Sequence, residues 1–514
     1  MRAAAAVAII FIARFAAAAW FDPSRDGDIA WQRNLGLQIL RTGHLPNALG
    51  VEAFTAPNAA WVPQEWLLSI AIALTVHTPY FFLLVLAATA AAALTLWFTA
   101  RTAAAFGSAT LPAAFAVFCA GEAMLESYGI RAQVFAWACL AALLYVIRTA
   151  PPRRQWLALP IVLVWANLHA SAMLAPVLLL LWTVGCAVED RKWSPRVARS
   201  ALLAAGSALA VVCTPLGFEL PLYALGLLHS PIRAAITEWQ PTGFDAPSFT
   251  LGLLPAALVA VPALVFSRRR AGPEIAIASA VLYLAVTAVR NVPVAAIVLA
   301  PLAAKGLTAV LPEHLRINRL FHDAGLARVF AIGACTAAAI GVVALLVSPE
   351  FKKGELPATA VARLAAQPGV HRLYCEDFAW CSLALDYPNL REFLDGRADP
   401  YPLSVWQEYV TVFHARGQWR AILDRRGVDA VLVRKDRALG RAMPSLRGWH
   451  CVYADAAFAL FLRTPVPSYN ASAANPVQSS ASTSNRKTPL RSHSGAIAYI
   501  AAIAGREASD ASRK

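Results

Sequence analysis

Long apolar runs alternate with short polar segments through the first 348 residues of the chain. Runs such as Tyr80–Ala100 and Val329–Val347 approach the roughly 20 apolar residues that a helix needs to cross a bilayer. The pattern predicts a mainly α, polytopic bundle of transmembrane helices over residues 1–348. Arg14 interrupts the first run, which favours an uncleaved first span over a signal peptide. The run Trp66–His77 is short for a span and predicts a short tilted or interfacial helix.

The pattern changes over residues 349–463, where charges become frequent and the apolar runs shorten. Four short apolar stretches there are typical of strands, and two helical patterns lie between them. The strands are predicted to start near Arg372, Arg391, Asp429 and Phe458, and the helices to cover Trp406–Arg416 and Trp419–Arg426. This alternation predicts a small soluble α/β domain. Residues 464–514 are rich in Ser, Asn, Pro and Ala, which predicts a disordered tail.

Composition and charge assign sides to the bundle. The chain is 58% hydrophobic and 15% charged, which is more apolar than a single soluble core can bury. Its net charge of +15 is concentrated in short loops such as Arg153-Arg154 and Arg191-Lys192, which is typical of cytoplasmic loops rather than of a nucleic-acid site. By this rule the N-terminus lies inside, loops 22–65 and 215–248 lie outside, and the α/β domain is extracytoplasmic. Such a topology requires an odd number of spans, about 11 or 13.

The eight cysteines show no metal-binding spacing. Five of them lie in or beside apolar helices, where cysteine behaves as a small hydrophobic residue. Cys375, Cys381 and Cys451 fall in the soluble domain, and an extracytoplasmic compartment would permit one disulfide among them.

Polar residues near lipid often mark function, and here they share the predicted outer side. They are Asp26, Asp28, Glu65, Glu122, Glu126, Arg131, His169, Glu238 and Arg290. This distribution predicts a membrane-embedded site that opens outward. The alternative is that outer loops are simply less basic than inner ones.

The first outer loop is the richest in candidate chemistry. Asp26 and Asp28 are separated by one glycine, and such a carboxylate pair can bind a divalent cation or share acid/base work. The structural alternative is that Asp28 caps a helix that runs to about Arg41.

The motifs in this loop are Asp26-Gly-Asp28, Gly43-His44-Leu-Pro46 and Trp61-Val-Pro-Gln-Glu65-Trp66. They resemble the motifs of bacterial membrane proteins related to the GT-C glycosyltransferases. Later motifs follow in order, namely Trp165-Ala-Asn167-Leu-His169, Pro215-Leu-Gly217, Glu238-Trp239-Gln-Pro, Arg290-Asn-Val-Pro, Phe393-Leu-Asp395-Gly-Arg397-Ala-Asp399-Pro-Tyr401 and Val452-Tyr-Ala-Asp455. The resemblance covers most of residues 1–463 and implies a GT-C-like fold in a bacterial cytoplasmic membrane.

The resemblance also implies an activity, the transfer of a sugar from a polyprenyl-phosphate carrier to an envelope glycan, lipid or protein. It implies that Asp26 or Asp28 is the general base, or a ligand of Mg or Mn if the enzyme needs a metal, with Glu65 in support. Arg131, His169 and Arg290 are candidates for the donor phosphate, which guanidinium and imidazole groups can bind. Asn167, Glu238 and Trp239 are candidates for substrate contact.

Each of these assignments has a structural alternative. His169 could close a helix hairpin by hydrogen bonding, and Trp239 could be an ordinary interfacial tryptophan. The Asp395-Gly-Arg397-Ala-Asp399 motif follows a predicted strand, where α/β sheets bind ligands, but an Asp–Arg pair also suits a structural turn. The whole chain could be a non-catalytic scaffold for envelope assembly. A transporter is less favoured, because the ionisable residues collect at one face and no inverted repeat is visible.

Overall fold

The computed structural model describes residues 2–21, 27–266, 271–312, 324–347, 357–377 and 382–464. Two compact units make up the chain, and the first takes in residues 1–48, 60–233 and 238–356. The second takes in residues 49–59, 234–237 and 357–514. Asp26 and the predicted tail beyond Thr464 lie outside the described residues.

The first unit is helical. Its longer helices are α1 (Arg2–Phe21), α2 (Asp28–Thr42), α3 (Trp66–Thr75), α4 (Phe81–Ala105), α5 (Thr110–Leu125), α6 (Ala132–Thr149), α7 (Ala158–Leu168), α8 (Leu174–Asp190), α9 (Pro195–Val212), α10 (Glu219–His229), α11 (Leu254–Val265), α12 (Gly272–Thr287), α13 (Val292–Val310) and α14 (Ala324–Val347). One-turn helical segments precede several of them, including Ala170–Met173, Pro231–Ala235, Thr237–Trp239, Ser248–Leu253 and Val289–Asn291.

Within the described residues, seven helices are long and apolar enough to cross a membrane, and five shorter apolar helices accompany them. The chain is therefore a multi-pass membrane protein, as its hydropathy predicts. The residues Trp66–Thr75 form a helix of ten residues, which agrees with the predicted short element. The count of about 11 or 13 spans stays a prediction, because length and composition do not show which of the shorter helices cross.

The centre of this unit is α13, in which every residue from Val292 to Ala304 is buried. A helix that is apolar on all sides is stable only when other helices surround it. Helices α4, α5, α11 and α12 pack against it. Most of the predicted outer-side residues lie at the ends of helices or in the segments between them, where polar side chains avoid the apolar interior.

A close helix pair fixes the first part of the candidate site. Helices α2 and α3 pack in direct contact at Gly36, where an added Cβ would overlap the carbonyl oxygen of Ser69. Gln32 lies one turn before Gly36, and Glu65 lies one turn before Ser69. The close approach therefore brings Gln32 and Glu65 face to face.

The second unit is an α/β sheet of five strands. They are β1 (His371–Cys375), β2 (Leu390–Glu392), β3 (Ala430–Arg434), β4 (Trp449–Ala454) and β5 (Phe458–Arg463), in the spatial order β2-β1-β3-β5-β4. The first three strands are parallel, and β5 is antiparallel to β3 and to β4. The helices are α15 (Ala358–Ala365), α16 (Leu403–Phe413), α17 (Trp419–Arg425) and α18 (Ala438–Ala442).

Both faces of this sheet are buried, as the alternation of side chains along β1 shows. Leu373 and Cys375 belong to the core that also contains α15. Tyr374 points to the other face and donates a hydrogen bond to the carbonyl of Tyr409 on α16, 2.9 Å away. The predicted fold class, a helical membrane bundle with a small C-terminal α/β domain, is confirmed.

The soluble unit contains elements that the sequence pattern did not predict, namely β4, α15 and α18. Strand β4 has no predicted counterpart, because it is an exposed edge strand without a buried apolar stripe. Residues 49–59 were predicted to belong to the membrane domain, but Ala53 pairs in parallel with Glu392 at the end of β2. Cys375 is buried and Cys451 is exposed, and both are free thiols. Cys381 lies outside the described residues.

Candidate active site

Glu65 is the centre of a buried polar cluster in the helical unit. Its carboxyl group accepts a short hydrogen bond from Gln32 Nε2 on α2 and another from Gln64 Nε2, 3.1 Å away. The Nε2 atom of His169 lies 3.7 Å from Glu65 Oε1. Gln64 Oε1 in turn accepts the backbone N–H of Ala170 at 2.7 Å, so the cluster links the segment before α3 with the break between α7 and α8.

The tautomer of His169 follows from its neighbours. Its Nδ1 accepts the backbone N–H of Ser171 at 3.0 Å, and a backbone amide can only donate. The proton of the neutral ring is therefore on Nε2, which faces Glu65. His169 is the N-cap of the one-turn helix Ala170–Met173, which closes the hairpin between α7 and α8. Its Nε2 also contacts the Glu65 cluster.

Burial controls the protonation of Glu65 and His169. Both lie outside helices, Glu65 directly before α3 and His169 directly after α7. Desolvation raises the pKa of Glu65 from 4.5 to about 7, against the opposing effects of the Gln32 hydrogen bond and the positive charge of Arg290. Desolvation, helped by Arg290, lowers the pKa of His169 to about 3. His169 is therefore a neutral hydrogen-bond donor near pH 7, and Glu65 exchanges its proton there.

Asp28 lies at the first position of α2, on the same helical face as Gln32. Its carboxylate accepts a hydrogen bond from Trp31 Nε1 at 3.0 Å, and its Oδ2 lies 4.0 Å from a guanidinium nitrogen of Arg131. The predicted helix is present and ends at Thr42, but its cap residue is Gly27 rather than Asp28. The side chain of Asp28 is about one-third exposed, so it can meet a ligand from solvent.

Arginine and tryptophan side chains form the other part of the cluster. Arg290 Nη1 lies 3.1 Å from Glu238 Oε1, and the guanidinium carbon of Arg290 stacks 4.2 Å from the ring centre of Trp239. A second guanidinium, that of Arg233, lies 4.9 Å from the same ring. The positive charge of Arg290 lowers the pKa of Glu65 and of His169, and that of Arg131 lowers the pKa of Glu65, so the two parts lie within electrostatic reach of each other.

Arg233 was not among the sequence-predicted candidates. It lies in the predicted outer loop 215–248, five positions before Glu238. Its position in the loop that carries the Glu238-Trp239 motif was the one feature of the sequence that could have indicated it. Its Nη1 donates to the carbonyl of Leu228 at 2.7 Å, while its buried Nε has no hydrogen-bond partner among the described residues. A buried guanidinium N–H without a partner is costly, and a bound anion would satisfy it.

The structure therefore brings together Asp28, Glu65, Arg131, His169, Glu238, Trp239 and Arg290. Other candidates lie elsewhere. Asn167 donates its side-chain N–H to the carbonyl of Leu163 at 2.8 Å, a bond within its own helix, and its contact with substrate stays a prediction. Glu126 accepts hydrogen bonds from the backbone and side chain of Ser248, and Glu122 lies one turn earlier.

The divalent-cation hypothesis for Asp26 and Asp28 stays a prediction, because Asp26 lies outside the described residues. No group of three or more His, Cys, Asp or Glu side chains that could hold a metal ion is found in the described part of the chain. A guanidinium nitrogen of Arg131 lies 4.0 Å from Asp28 Oδ2 and supplies a positive charge beside it.

An apolar cavity opens beside the histidine end of the cluster. Its volume is about 530 Å³, and it is lined by Met173, Pro176, Ala208, Val211, Val212, Phe218, Pro221 and Leu222. Met173 closes the one-turn helix that begins directly after His169. Phe218 and Leu222 are largely exposed, which is the usual state of a side chain that faces lipid.

The Asp395-Gly-Arg397 motif has the structural role among its two predicted alternatives. Arg397 Nη2 lies 2.6 Å from Asp395 Oδ2, and both residues are buried in the second unit. The hydroxyl of Tyr401 donates to the same carboxylate oxygen at 2.7 Å. The lone pairs of Asp395 are thereby occupied within the protein, and the pair holds the segment after β2.

The comparisons with known proteins identify the fold. Searches of protein-family models and of curated protein sequences find no match. The archaeal oligosaccharyltransferase AglB from Archaeoglobus fulgidus, in complex with an inhibitory peptide and a dolichol-phosphate, aligns with a TM-score of 0.50 and 13% identity, over 90% of this chain and 75% of its own. ArnT from Cupriavidus metallidurans bound to undecaprenyl phosphate aligns with a TM-score of 0.51 and 16% identity, over 90% and 97%.

A third solved structure extends the similarity. The arabinofuranosyltransferase AftD from Mycobacteria aligns with a TM-score of 0.52 and 14% identity, over 91% of this chain and 41% of its own. These proteins are GT-C glycosyltransferases, so the chain has a GT-C-like fold and the resemblance predicted from its motifs is confirmed. At these identities the similarity establishes the fold alone.

Proposed function

We propose that this protein is a membrane glycosyltransferase that transfers a sugar from a polyprenyl-phosphate donor to an acceptor hydroxyl or amide. The observation that carries the proposal is the cluster of three guanidinium groups around Trp239, Glu65 and Asp28. The carboxylates of Asp28 and Glu238 oppose these three positive charges. Burial raises the pKa of the Glu65 carboxyl group to about 7. The cluster is therefore suited to an anion next to a carboxylate that can accept a proton.

The donor class is supported by the fold neighbours. Two of them were solved with a polyprenyl-type phosphate bound, a dolichol-phosphate in one and undecaprenyl phosphate in the other. A lipid phosphate needs a basic head-group site beside an apolar surface. The arginine cluster offers the basic site, and the cavity lined by Met173, four residues after His169, offers the apolar surface.

The phosphate would bind to Arg290 and Arg233. Arginine presents several donors in a fixed plane and can bind a phosphate through two parallel hydrogen bonds. Trp239 holds both guanidinium groups against its ring, which limits their motion before the donor arrives. Arg131 supplies a third charge at the Asp28 side. Neutral His169 would donate a hydrogen bond through Nε2 rather than provide a charge.

The reaction can be written with these residues. The acceptor oxygen or nitrogen attacks the anomeric carbon of the sugar, and the bond between that carbon and the phosphate oxygen breaks. The polyprenyl phosphate leaves with the bonding electron pair, and the arginines stabilise its added negative charge. The acceptor proton passes to Asp28, the general base, or to Asp26, which lies outside the described residues. Glu65 supports the site by holding α2 and His169 in place.

The isoprenyl chain of the donor would lie in the cavity between α8, α9 and α10. Each buried methylene group contributes about 0.8 kcal/mol, so such a cavity favours long apolar donors over water-soluble sugar phosphates. The acceptor would be an envelope glycan, lipid or protein on the extracytoplasmic side, which is the side that the distribution of basic loops predicts for this site.

The test compares two aspartates in similar surroundings. Purified wild type, Asp28→Asn and Asp190→Asn are incubated with a panel of polyprenyl-phosphate sugars, and release or transfer of the sugar is measured. Asp190 also lies near an arginine, 3.6 Å from Arg196, but at the opposite end of α8 from His169. We expect Asp28→Asn to lose about 10²-fold or more in kcat, as removal of a general base does, and Asp190→Asn to keep wild-type activity.

Two outcomes would contradict the proposal. One is a wild-type protein that neither binds nor cleaves any donor of the panel, which would favour the alternative of a non-catalytic scaffold. The other is an equal loss of activity in both variants, since Asp190 has no part in the proposed reaction.

A further inference from the structure

The loop that carries Glu65 passes through the soluble unit before it returns to the membrane unit. Its residues Leu49–Ala59, here called the clasp segment, belong to the soluble unit. In the sequence they lie between α2, which bears Asp28 and Gln32, and the pair Gln64 and Glu65. The two halves of the candidate site are thus joined by a stretch of chain that is anchored in the α/β domain.

Backbone and side-chain hydrogen bonds hold the clasp segment within that domain. The backbone N–H of Glu392 donates to the carbonyl of Glu52 at 2.6 Å, and the N–H of Phe54 donates to the carbonyl of Glu392 at 3.2 Å. Thr55 Oγ1 donates to the carbonyl of Phe393 at 2.6 Å. These bonds add the segment to the edge of β2, next to the end of the sheet that Asp395 and Arg397 stabilise.

Arg397 adds the charged part of this anchor. Its Nη1 donates to the carbonyl of Leu49 at 2.8 Å and lies 3.5 Å from Glu52 Oε1. The same side chain pairs with Asp395 through Nη2. One buried guanidinium therefore connects the first turn of the clasp segment with the loop after β2, which explains why the motif contains arginine.

The residues that flank the clasp segment are held together within the membrane unit. Trp61 donates its backbone N–H to the carbonyl of Asn47 at 2.9 Å, and Ala48 pairs with Ala60, so the loop closes at its base. The ring of Trp61 packs edge-on against Trp31, with ring centres 6.1 Å apart. Trp31 donates to Asp28, which completes a contact path from the loop base to the candidate base.

We propose that Glu52, Thr55 and Arg397 are positioning residues for Asp28 and Glu65. The inference rests on the proposed function and deepens it. A loop whose middle is anchored loses little entropy when its two ends meet, so Trp61 and Glu65 stay in register with α2. Without this anchor, Asp28 and Glu65 would occupy their observed positions for a smaller fraction of the time. Displacements of about 1 Å can reduce a catalysed rate by 10²-fold.

The test weakens the anchor by one hydrogen bond without changing the site itself. Thr55→Val deletes the hydroxyl that donates to Phe393, and Thr55→Ser restores it. Asp424→Asn is the matched control, because it removes an exposed ion pair with Arg463 in the same domain, away from the clasp segment. We expect Thr55→Val to lower kcat about tenfold with the donor KM within about twofold, and Thr55→Ser and Asp424→Asn to behave as wild type.

Hydrogen exchange provides a readout that does not depend on activity. Thr55→Val should speed the exchange of backbone amides in the clasp segment and also in the base of the loop up to Glu65, whereas Thr55→Ser should not. Faster exchange confined to residues 49–59 would overturn the positioning role, whatever the activity. A wild-type protein without transferase activity, but with exchange spreading to Glu65, would instead contradict the proposed function and leave the positioning role supported.

Discussion

Two buried clusters of acids and arginines, one in each unit, use similar residues for different purposes. In the soluble unit Asp395 accepts hydrogen bonds from Arg397 and Tyr401, and Arg397 also binds the carbonyl of Leu49. In the membrane unit the buried Nε of Arg233 and the buried Oε1 of Gln32 have no partner among the described residues. Asp395 and Arg397 thus occupy one another's hydrogen-bonding groups and stabilise the fold, although the buried carboxyl oxygens of the neighbouring Glu392 have no hydrogen-bond partner among the described residues. The unpaired N–H donor of Arg233 indicates instead a place for an anionic ligand.

The comparison is tested first where the largest effect on stability is expected. Asp395→Asn leaves the buried Arg397 with only its longer ion pair, to Glu52 at 3.5 Å, which should lower the free energy of unfolding of the soluble unit by about 3–5 kcal/mol. Denaturant unfolding followed by tryptophan fluorescence would measure this, since Trp406 and Trp419 are buried in that unit. Asp424→Asn, which removes an exposed pair, should cost below about 1 kcal/mol. Equal losses would show that the Asp395 cluster is not the anchor that its geometry indicates.

The membrane cluster should respond in activity rather than in stability. Arg290→Ala removes a guanidinium proposed to bind the donor phosphate and should reduce kcat/KM by about 10²–10³-fold, while Arg290→Lys should retain part of the activity. Arg196→Ala is the control, because Arg196 forms an ion pair with Glu189 at 2.8 Å outside the site. Thermal unfolding should be similar for the two alanine variants. If Arg290→Ala loses as much stability as is expected for Asp395→Asn, the membrane cluster has a structural role like that of the Asp395 cluster.

The pH dependence of stability distinguishes the clusters further. Burial raises the pKa of Glu65 from 4.5 to about 7, so the folded protein holds a proton that the unfolded chain releases between these values. The stability that this group contributes is complete below pH 4.5 and is lost as pH rises through about 7. We expect the difference in unfolding free energy between wild type and Glu65→Gln to shift by up to about 3 kcal/mol over this window. A difference that stays constant with pH would show that Glu65 is ionised in the folded state.

The smallest effect is expected at the helix contact that brings Gln32 to Glu65. Gly36→Ala places a Cβ against the carbonyl of Ser69 and should cost about 1–3 kcal/mol, with lower activity because α2 moves away from α3. Gly226→Ala is the control, since nothing lies within 4 Å of a Cβ added there on α10. Thermal unfolding and donor turnover measure both effects. If Gly36→Ala is as mild as its control, the close packing of α2 on α3 does not position Gln32.

The sequence by itself determined the architecture of this protein and most members of its site. Apolar runs predict the membrane helices and short apolar stretches predict β1, β2, β3 and β5, because both signals depend on neighbours a few positions away. The shared side of the acids and arginines, together with ordered motifs, predicted that Asp28, Glu65, Arg131, His169 and Arg290 would meet. The order and character of those motifs also predicted the GT-C-like fold.

Only the tertiary structure decided which of these residues contact one another. That Gln32 binds Glu65 depends on the close approach of two helices at a glycine, and that Arg233 joins the site depends on the ring of Trp239. The attachment of the clasp segment joins residues such as Thr55 and Phe393, which are 338 positions apart. No local pattern records such contacts, since each partner satisfies its hydrogen bond only after distant parts of the chain have packed.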